Sequence, residues 1–419
     1  MIFKSRYILL ILLSILLILF FFISACGKMD KKLVELTSQP ENTGDPVLEK
    51  DLAEQIEKDY DLPVDVHQKK EGEEDCKKMM ELIRKIYVQA DKGDASNIVL
   101  SGKTISEMQD KLKETNNPVI MTEVYANMEN FESVEDFLKD CRERISGSEV
   151  VYEIHSEGGI RRMKFIFDGT EMYVFSISAV WDEHNEPAIS YVSYTRVKEW
   201  KYTDKGWFCY KLCVPEPPEV TEIVDGSCML RIKPMKNKYR KMSEKCVMGL
   251  AYQGNNLLCS NWDAENIKKI DYNGLYEYLY EMKYRKTFDS ENNPDGIPKD
   301  EFERLITEYL PINREKIQKY AAFDEKSQTY VWEQLGCSNY APAYFGTSVP
   351  EVTHIKKNED GTVTLTVDAV CQMILCDDAV ITHELTIRFY EDGSFRYLGN
   401  KILNNGVNDI PEYQYRINR

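Results

Sequence analysis

The segment Asp289–Glu301, DSENNPDGIPKDE, carries the oxygen-rich side chains typical of a calcium-binding loop. An EF-hand loop takes ligands from its first, third, fifth and twelfth positions and has glycine at the sixth. A frame that starts at Glu291 places Asn293, Asp295 and Gly296 at the third, fifth and sixth positions. The twelfth position is then Phe302, where a bidentate glutamate is required. We therefore interpret the segment as a solvated acidic loop and predict no metal site here.

His383 is the histidine whose surroundings are best defined by the sequence. It lies in a predicted strand, on the face that also carries Ile381, Leu385 and Ile387. A catalytic base needs a nucleophile or carboxylate in reach, and the sequence indicates none. We therefore interpret His383 as a hydrogen-bonded residue at the edge of the core. The other histidines show no metal-ligand spacing; they are His67, His155, His184 and His354.

Motifs for nucleophilic or phosphate chemistry are absent from the sequence. It contains no Gly-x-Ser-x-Gly, no glycine-rich phosphate loop and no Ser-x-x-Lys. Cys209 and Cys371 lie in predicted strands, where a packing thiol is more common than a nucleophile. We therefore predict no catalytic residue, no cofactor and no metal ligand.

The chain has 11 cysteines, and ten of them follow Cys26. Cys209 and Cys213 are roughly 13 Å apart along one strand, whereas a disulfide needs Cα atoms within about 7 Å. Cys371 and Cys376 would face opposite ways in a continuous strand. Disulfides between separate elements and buried free thiols both remain compatible with the sequence, and no spacing suggests zinc.

The N-terminus has the pattern of an export signal. Lys4 and Arg6 precede an apolar run from Tyr7 to Ile23, which ends in Ile23-Ser24-Ala25-Cys26. This tetrapeptide resembles the lipobox of bacterial lipoproteins. The resemblance implies a diacylglyceryl thioether on Cys26 and cleavage between Ala25 and Cys26. The alternative is an uncleaved membrane anchor, although its apolar run is at the lower limit for spanning a bilayer.

The exported part is strongly acidic. The leader carries two basic and no acidic residues, so its removal changes the formal net charge from −17 to −19. Such a body repels nucleic acid and anionic lipid surfaces, so we predict no nucleic-acid partner. The membrane is predicted to be a partner through the lipid on Cys26, and not through charge.

Composition and periodicity predict an α+β protein with two helix-plus-antiparallel-β-meander domains. We predict a signal peptide over residues 1–25, the lipidated cysteine and a flexible tether over 26–70, and domains over 71–235 and 236–419. Helices are predicted in the first domain at Asp75–Ala90, at Ser106–Glu114 and from Ser133, which is a candidate N-cap. Its strands are predicted at Val150–His155, Ile160–Phe167, Met172–Trp181, Ile189–Tyr202 and Trp207–Val214.

The second half repeats this order. Helices are predicted at Leu275–Lys286, Lys299–Tyr309 and Asn313–Tyr320, and strands at Glu351–Lys357, Thr362–Met373, Val380–Tyr390 and Ser394–Ile402. Asp168-Gly169-Thr170 and Asp360-Gly361-Thr362 stand 192 residues apart, as do Arg196 and Arg388. A fixed displacement suggests a diverged duplication, although meanders with Asp-Gly turns also resemble one another without common ancestry.

Tyrosine is abundant, with 26 residues, and five of them crowd residues 272–284. Tyrosine suits contact surfaces because it joins an apolar ring to a polar tip. The alternative is that these tyrosines belong to the core.

Four strings in the second half carry a family resemblance: AYQGNNLLCSNWD, LYEYLYEMKY, DGTVTLTVDAVC and THELTIRFYEDGSFRYLGNKI. They resemble an uncharacterised lipoprotein family of Gram-positive, Clostridia-like bacteria. The helix-plus-meander arrangement is also similar to the cone-shaped nuclear-transport-factor-2-like fold. The leading functional hypothesis is noncatalytic binding of a small ligand or an envelope protein. The alternatives are an extracytoplasmic hydrolase with an unrecognised site and the solute receptor of a transporter.

Overall fold

The computed structural model describes residues 58–93, 97–289, 293, 295–336, 343–371 and 379–417. Their contacts divide the chain into two compact units, and the described parts of these units are residues 58–236 and residues 237–371 with 379–417. Both units combine helices with antiparallel strands, so the chain is α+β. The division lies one residue from the predicted domain boundary, and independent folding of the two parts stays a prediction.

The first unit has three helices, α1 (Val66–Gln89), α2 (Gly102–Lys113) and α3 (Glu132–Arg142). Helix α1 begins nine residues before the predicted Asp75, because Asp65 caps it by accepting hydrogen bonds from the backbone N–H groups of His67 and Gln68. Its first turns carry almost no apolar residues, so hydrophobic periodicity could not reveal them.

The first compact unit includes described residues that lie before the predicted end of the tether at residue 70. The backbone N–H of Leu62 donates to the carbonyl of Tyr194, and the N–H of Arg196 donates to the carbonyl of Asp59. The Arg196 guanidinium also lies 2.7 Å from the Asp59 carboxylate. Residues 59–62 are therefore attached to a strand, and composition did not predict this.

Ser133 is not the N-cap of α3. The helix begins at Glu132, Phe131 occupies the cap position, and no side chain caps the helix there. Glu132 and Glu135 instead place negative charge in the first turn, where the helix dipole favours it.

A curled seven-stranded sheet forms the rest of this unit. Its strands lie in sequence order, and β1 pairs with β2 in parallel while the other pairs are antiparallel. The five predicted meander strands are confirmed, whereas β1 and β7 were not predicted. The strands are β1 (Val119–Met121), β2 (Gly147–Ile154), β3 (Ile160–Phe167), β4 (Met172–Trp181), β5 (Pro187–Tyr202), β6 (Trp207–Leu212) and β7 (Ser227–Arg231).

The two faces of this sheet carry different clusters. One face packs Ile160, Phe175 and Ile177 with buried residues of α1 and α2. The opposite face packs residues such as Phe165 and Phe208 in a cluster that also contains buried residues of α3. Strand alternation separates the two sets, because neighbouring residues point to opposite faces.

The second unit contains the predicted helices and a four-stranded antiparallel meander in the order β11-β12-β13-β14. Helix α4, the one-turn helix α8 and the short strands β8 to β10, which form a three-stranded sheet, were not predicted. The helices are α4 (Asn237–Cys246), α5 (Tyr272–Tyr284), α6 (Lys299–Tyr309), α7 (Arg314–Tyr320) and α8 (Ala343–Gly346). The strands are β8 (Ile297–Pro298), β9 (Phe323–Asp324), β10 (Thr329–Tyr330), β11 (Val349–Lys357), β12 (Val363–Val370), β13 (Thr382–Phe389) and β14 (Phe395–Ile402).

A buried loop over residues 251–259 belongs to the core of the second unit. Its polar groups are satisfied by asparagine side chains: Asn255 accepts the N–H of Leu257, and Asn256 accepts the N–H of Asp271 and donates to the carbonyl of Lys269. These bonds compensate for burying irregular backbone, which would otherwise lose its hydrogen bonds to water.

Candidate functional site

His383 is a buried and fully hydrogen-bonded core residue, as predicted. Its Nδ1 lies 2.6 Å from Asn400 Oδ1, and its Nε2 lies 2.8 Å from the Tyr252 hydroxyl. Asn400 donates its amide to the carbonyls of Leu258 and Ser260, so its Oδ1 faces His383 as an acceptor. His383 Nδ1 therefore carries the proton, and Tyr252 donates to Nε2. The imidazole is wholly inaccessible to solvent.

We expect His383 to make the stability of the protein depend on pH. Burial lowers its pKa from 6.5 to about 4. Because the pKa of His383 is lower in the folded than in the unfolded state, its contribution to the free energy of unfolding is fully present above pH 6.5. This contribution, roughly 3 kcal/mol, is lost as the pH falls from 6.5 to 4. A His383→Gln variant should lose this part of the dependence in chemical denaturation at pH 7 and pH 4.5. His184→Gln, at an exposed site, is the control, and equal pH slopes for His383→Gln and the wild type would contradict the assignment.

The calcium-like loop lies partly outside the described residues, which omit 290–292 and 294. Asn293 donates its side-chain amide to the carbonyl of Asp289. Phe302, at the twelfth position of the frame, is fully buried and stacks on Tyr330 with ring centroids 3.9 Å apart. Within the described part of the chain, no group of three or more histidine, cysteine or acidic residues could hold a metal ion.

The cysteines of the described segments that form no disulfide include Cys76, Cys141, Cys213, Cys228, Cys246, Cys259 and Cys371. Burial raises the pKa of Cys76 and of Cys246 to about 12, so both thiols are protonated at neutral pH. Cys209 is buried in β6 as predicted, whereas Cys371 is buried just after β12 ends. A thiol held in its protonated form is a poor nucleophile.

The tyrosines of residues 272–284 do not form the exposed aromatic surface that we considered. Tyr272, Tyr276 and Tyr278 are buried on α5, and Tyr284 is exposed. Tyr276 stacks on Phe302 with ring centroids 5.1 Å apart. These rings serve mainly to pack the second core, which was the alternative interpretation.

A polar cluster occupies one end of the α3-facing side of the seven-stranded sheet. In the register, Glu153 pairs with Arg161, Arg161 with Ser178, and Ser178 with Tyr191. Alternation along β3 puts Arg161 on the same face as Met163, Phe165 and Phe167. The same face also carries Ser176 and Ser193, which pair with each other and are partly exposed. The apolar cluster therefore gives way to a partly exposed polar surface. We use the name polar cleft for this surface, which is formed by Glu153, His155, Arg161, Ser176, Ser178 and Ser193.

An ion pair lies at the centre of the polar cleft. Arg161 Nη2 is 2.7 Å from Glu153 Oε2, and His155 Nε2 is 3.7 Å from the same oxygen. The Glu153 and His155 side chains are 12% and 17% exposed. Arg161 Nε and His155 Nε2 are buried without a hydrogen-bond partner, and Glu153 Oε2, although it is in ion-pair contact with Arg161 Nη2, also lacks a well-aligned hydrogen bond. A buried polar group without a hydrogen bond lowers the stability of a protein by about 1–3 kcal/mol, unless a ligand or a water molecule forms that bond.

Tyr210 and Cys228 bring strands β6 and β7 to the same cluster. The two residues are cross-strand neighbours, Tyr210 donates to Met163 Sδ, and Cys228 donates to the carbonyl of Gly226. Both groups experience the charges of Arg161 and Glu153. Burial raises the pKa of Cys228 to about 11 and holds the pKa of Tyr210 well above its usual range. Both groups therefore stay protonated at neutral pH, which suits hydrogen bonding better than nucleophilic attack.

Residues 69–416 match the model of a protein family described as "Family of unknown function (DUF6070)". The chain belongs to this family. The DUF6070 match spans both compact units and includes every residue of the polar cleft. The predicted membership of an uncharacterised family is thereby confirmed, whereas its lipoprotein character and bacterial origin stay predictions. No match was found among curated proteins or among solved structures.

The lipidation site predicted for this DUF6070 protein, Cys26, lies outside the described residues, as does the whole leader. Across the segments that the structure describes, no helix has the length and apolar character needed to cross a membrane. The prediction of a lipid anchor therefore still depends on the sequence pattern.

Sequence reasoning missed most of the polar cleft in this DUF6070 member. His155 was considered and set aside, while Glu153 and Arg161 were not considered. A signal was present, because Glu153 and Arg161 flank the Glu157-Gly158-Gly159 turn at positions that alternation assigns to the core face. Two opposite charges at such inward positions indicate a polar site in an otherwise apolar face.

Proposed function

We propose that this protein is a lipid-anchored, extracytoplasmic binding protein whose polar cleft holds a small polar ligand. The observation that carries the binding proposal is the pair of buried, unpartnered nitrogens, Arg161 Nε and His155 Nε2, on a partly exposed sheet face. Such groups are normally satisfied by water or by a ligand. The anchoring part of the proposal rests on the lipobox-like residues Ile23 to Cys26.

Binding is favoured over hydrolysis by the chemistry of the available groups. Cys228 and Tyr210 are protonated at neutral pH, and His383 is buried against Tyr252 and Asn400. His155 lies in the cleft, but its near charged neighbours are the carboxylates of Glu153 and Glu157, and neither is an activated hydroxyl or thiol. A hydrolase needs an activated nucleophile, or a base that can reach a bound water molecule. An arginine–carboxylate pair bordered by serine hydroxyls instead supplies fixed hydrogen-bonding groups, which orient a ligand without transforming it.

The finer fold relationship belongs to the same proposal. We infer a diverged duplication of a helix-plus-meander unit, similar to the nuclear-transport-factor-2-like cone, in a lipoprotein family of Clostridia-like bacteria. Supporting the duplication, Asp168 accepts the N–H of Thr170, and Asp360 accepts the N–H of Thr362. Each turn stands between two consecutive antiparallel strands of a meander.

The binding proposal is tested by replacing Arg161 with leucine. Loss of a charge-assisted hydrogen bond costs about 1.5–3 kcal/mol, so affinity for the ligand should fall roughly 10- to 100-fold. The mature chain, residues 26–419, would be purified from the cells that produce it, and retained small molecules would be identified by native mass spectrometry. Thermal shift against amino acids, sugars, nucleosides and phosphates would detect ligands lost during purification.

Lys198→Leu is the matched control, because Lys198 is an exposed cation of the same sheet that pairs with Glu216 away from the cluster. It should retain full binding. Turnover of any compound in the set would contradict the noncatalytic proposal, and so would ligand retention by Arg161→Leu at wild-type affinity.

A further inference from the structure

We propose that the ligand of the polar cleft is a small amino-carboxylate, carrying one carboxylate and one ammonium group. This inference rests on the proposed function and names the chemical class that the cleft accepts. Its basis is the juxtaposition of Arg161, Glu153 and His155 on one partly exposed sheet face, where buried polar atoms of both Arg161 and His155 lack partners.

The anionic end of the ligand is assigned to Arg161. Its Nη2 is occupied by Glu153, while its Nε is buried and donates to nothing in the described structure. A guanidinium offers N–H donors in one plane, and this arrangement matches the two oxygens of a carboxylate. A carboxylate at Nε would satisfy the unpartnered donor and keep the existing contact with Glu153.

The cationic end is assigned to Glu153 and His155. The 3.7 Å separation of His155 Nε2 from Glu153 Oε2 is too long for a direct hydrogen bond. An ammonium group has three N–H donors, so it can bond to a carboxylate oxygen and to a neutral imidazole nitrogen at once. His155 Nδ1 lies 3.9 Å from Glu157, whose half-exposed carboxylate stands at the solvent side of this cluster.

Charge balance explains why both ends are needed. Arg161 and Glu153 carry opposite charges, and the hydroxyls of Ser176, Ser178 and Ser193 lie on the same sheet face. The half-exposed Glu157 carboxylate adds a negative charge at the solvent side, next to His155 and so beside the end assigned to the ammonium. The Arg161–Glu153 pair by itself has no net charge, so it accepts a zwitterion without leaving a charge uncompensated. A bound monoanion or monocation would leave one charge desolvated without a partner, and this would weaken its binding. Inorganic phosphate is disfavoured for the same reason.

The test compares probes that differ by one charged group. Alanine carries both groups, propionate lacks the ammonium, and ethylamine lacks the carboxylate. Isothermal titration of each probe into the mature chain should give binding of alanine, with propionate and ethylamine at least tenfold weaker. Inorganic phosphate is included as a compact anion. Tighter binding of propionate, ethylamine or phosphate than of alanine would overturn the assignment.

Two variants tie the binding to the cleft. Glu153→Gln keeps the shape of the side chain but removes its charge, so it should weaken alanine binding at least tenfold. The ratio of alanine affinity to propionate affinity should therefore be smaller in this variant than in the wild type. Arg161→Lys keeps the charge but removes the planar fork, and it should also weaken alanine binding. Circular dichroism melting verifies that each variant is folded, and Lys198→Leu should bind as the wild type does. Unchanged alanine affinity in a folded Glu153→Gln variant would refute the proposal.

The two proposals fail in distinguishable ways. If no zwitterion binds but the wild type retains another small molecule that Arg161→Leu loses, the cleft is a binding site and the ligand class is wrong. If no probe binds and nothing is retained, both proposals are wrong. If alanine binds equally well to both cleft variants and to the wild type, the protein binds amino-carboxylates at another site. The assignment of this ligand to the polar cleft is then wrong.

Discussion

A Cys26→Ala variant is expected to carry no lipid. No cleaved, membrane-anchored form of the protein should be detected in cells that produce it. The thiol of Cys26 is the attachment point that the lipobox-like sequence implies, and alanine has no nucleophile for the acyl lipid. Stable anchoring needs about two acyl chains, so loss of the lipid removes most of the affinity for the membrane. The protein should remain as an unprocessed precursor or be released. Mass spectrometry of the N-terminal peptide, with fractionation of membrane and medium, measures both outcomes.

Ser24→Ala provides the control, because alanine is also small and leaves Cys26 in place. This variant should be processed and lipidated like the wild type, and processing of both should stop when the lipoprotein signal peptidase is inhibited. A Cys26→Ala protein that is cleaved and anchored normally would show that the lipoprotein hypothesis is wrong. An intact leader in the wild-type protein would instead support the uncleaved membrane anchor.

An Arg416→Ala variant is expected to lose about 3–5 kcal/mol of folding stability in the second unit. The Arg416 side chain is 1% exposed and pairs with Glu277, which is 8% exposed. It also donates to the carbonyl of Glu333 at 3.1 Å. Truncation leaves the Glu277 carboxylate buried without its cation, and this loss dominates the expected effect. Denaturant unfolding of the wild type and the variant at pH 7 gives the difference in free energy.

Two further variants separate the buried ion pair from simple loss of a side chain. Arg388 lies 4.0 Å from Asp360 on the surface, so Arg388→Ala should cost at most about 1 kcal/mol. An Arg416→Met, Glu277→Leu double variant removes both charges and should be less destabilised than Arg416→Ala. A loss below about 1 kcal/mol in Arg416→Ala would contradict the buried-pair account.

Elements with strong local periodicity were predictable from the sequence. Helix α6 and strands β3 and β4 have the bounds that apolar spacing and turn residues indicated. Elements without a local signal were missed: β1 has three residues, and the first turns of α1 are polar. Such elements are stabilised by cross-strand pairing or by a helix cap, and the spacing of apolar residues along the sequence indicates neither of these.

The polar cleft separates what the sequence determines from what tertiary structure decides. Alternation along β2 and β3, with the turn between them, is enough to put Glu153 and Arg161 on one face of a hairpin. Tyr210 and Cys228 join them only because β6 and β7 lie in the same sheet. In the second unit, His383 could be assigned to a core face, but its partner Tyr252 lies 131 residues away. Local pattern determines which way a side chain points, whereas long-range packing decides which groups it meets, because residues distant in sequence become neighbours only when the chain folds.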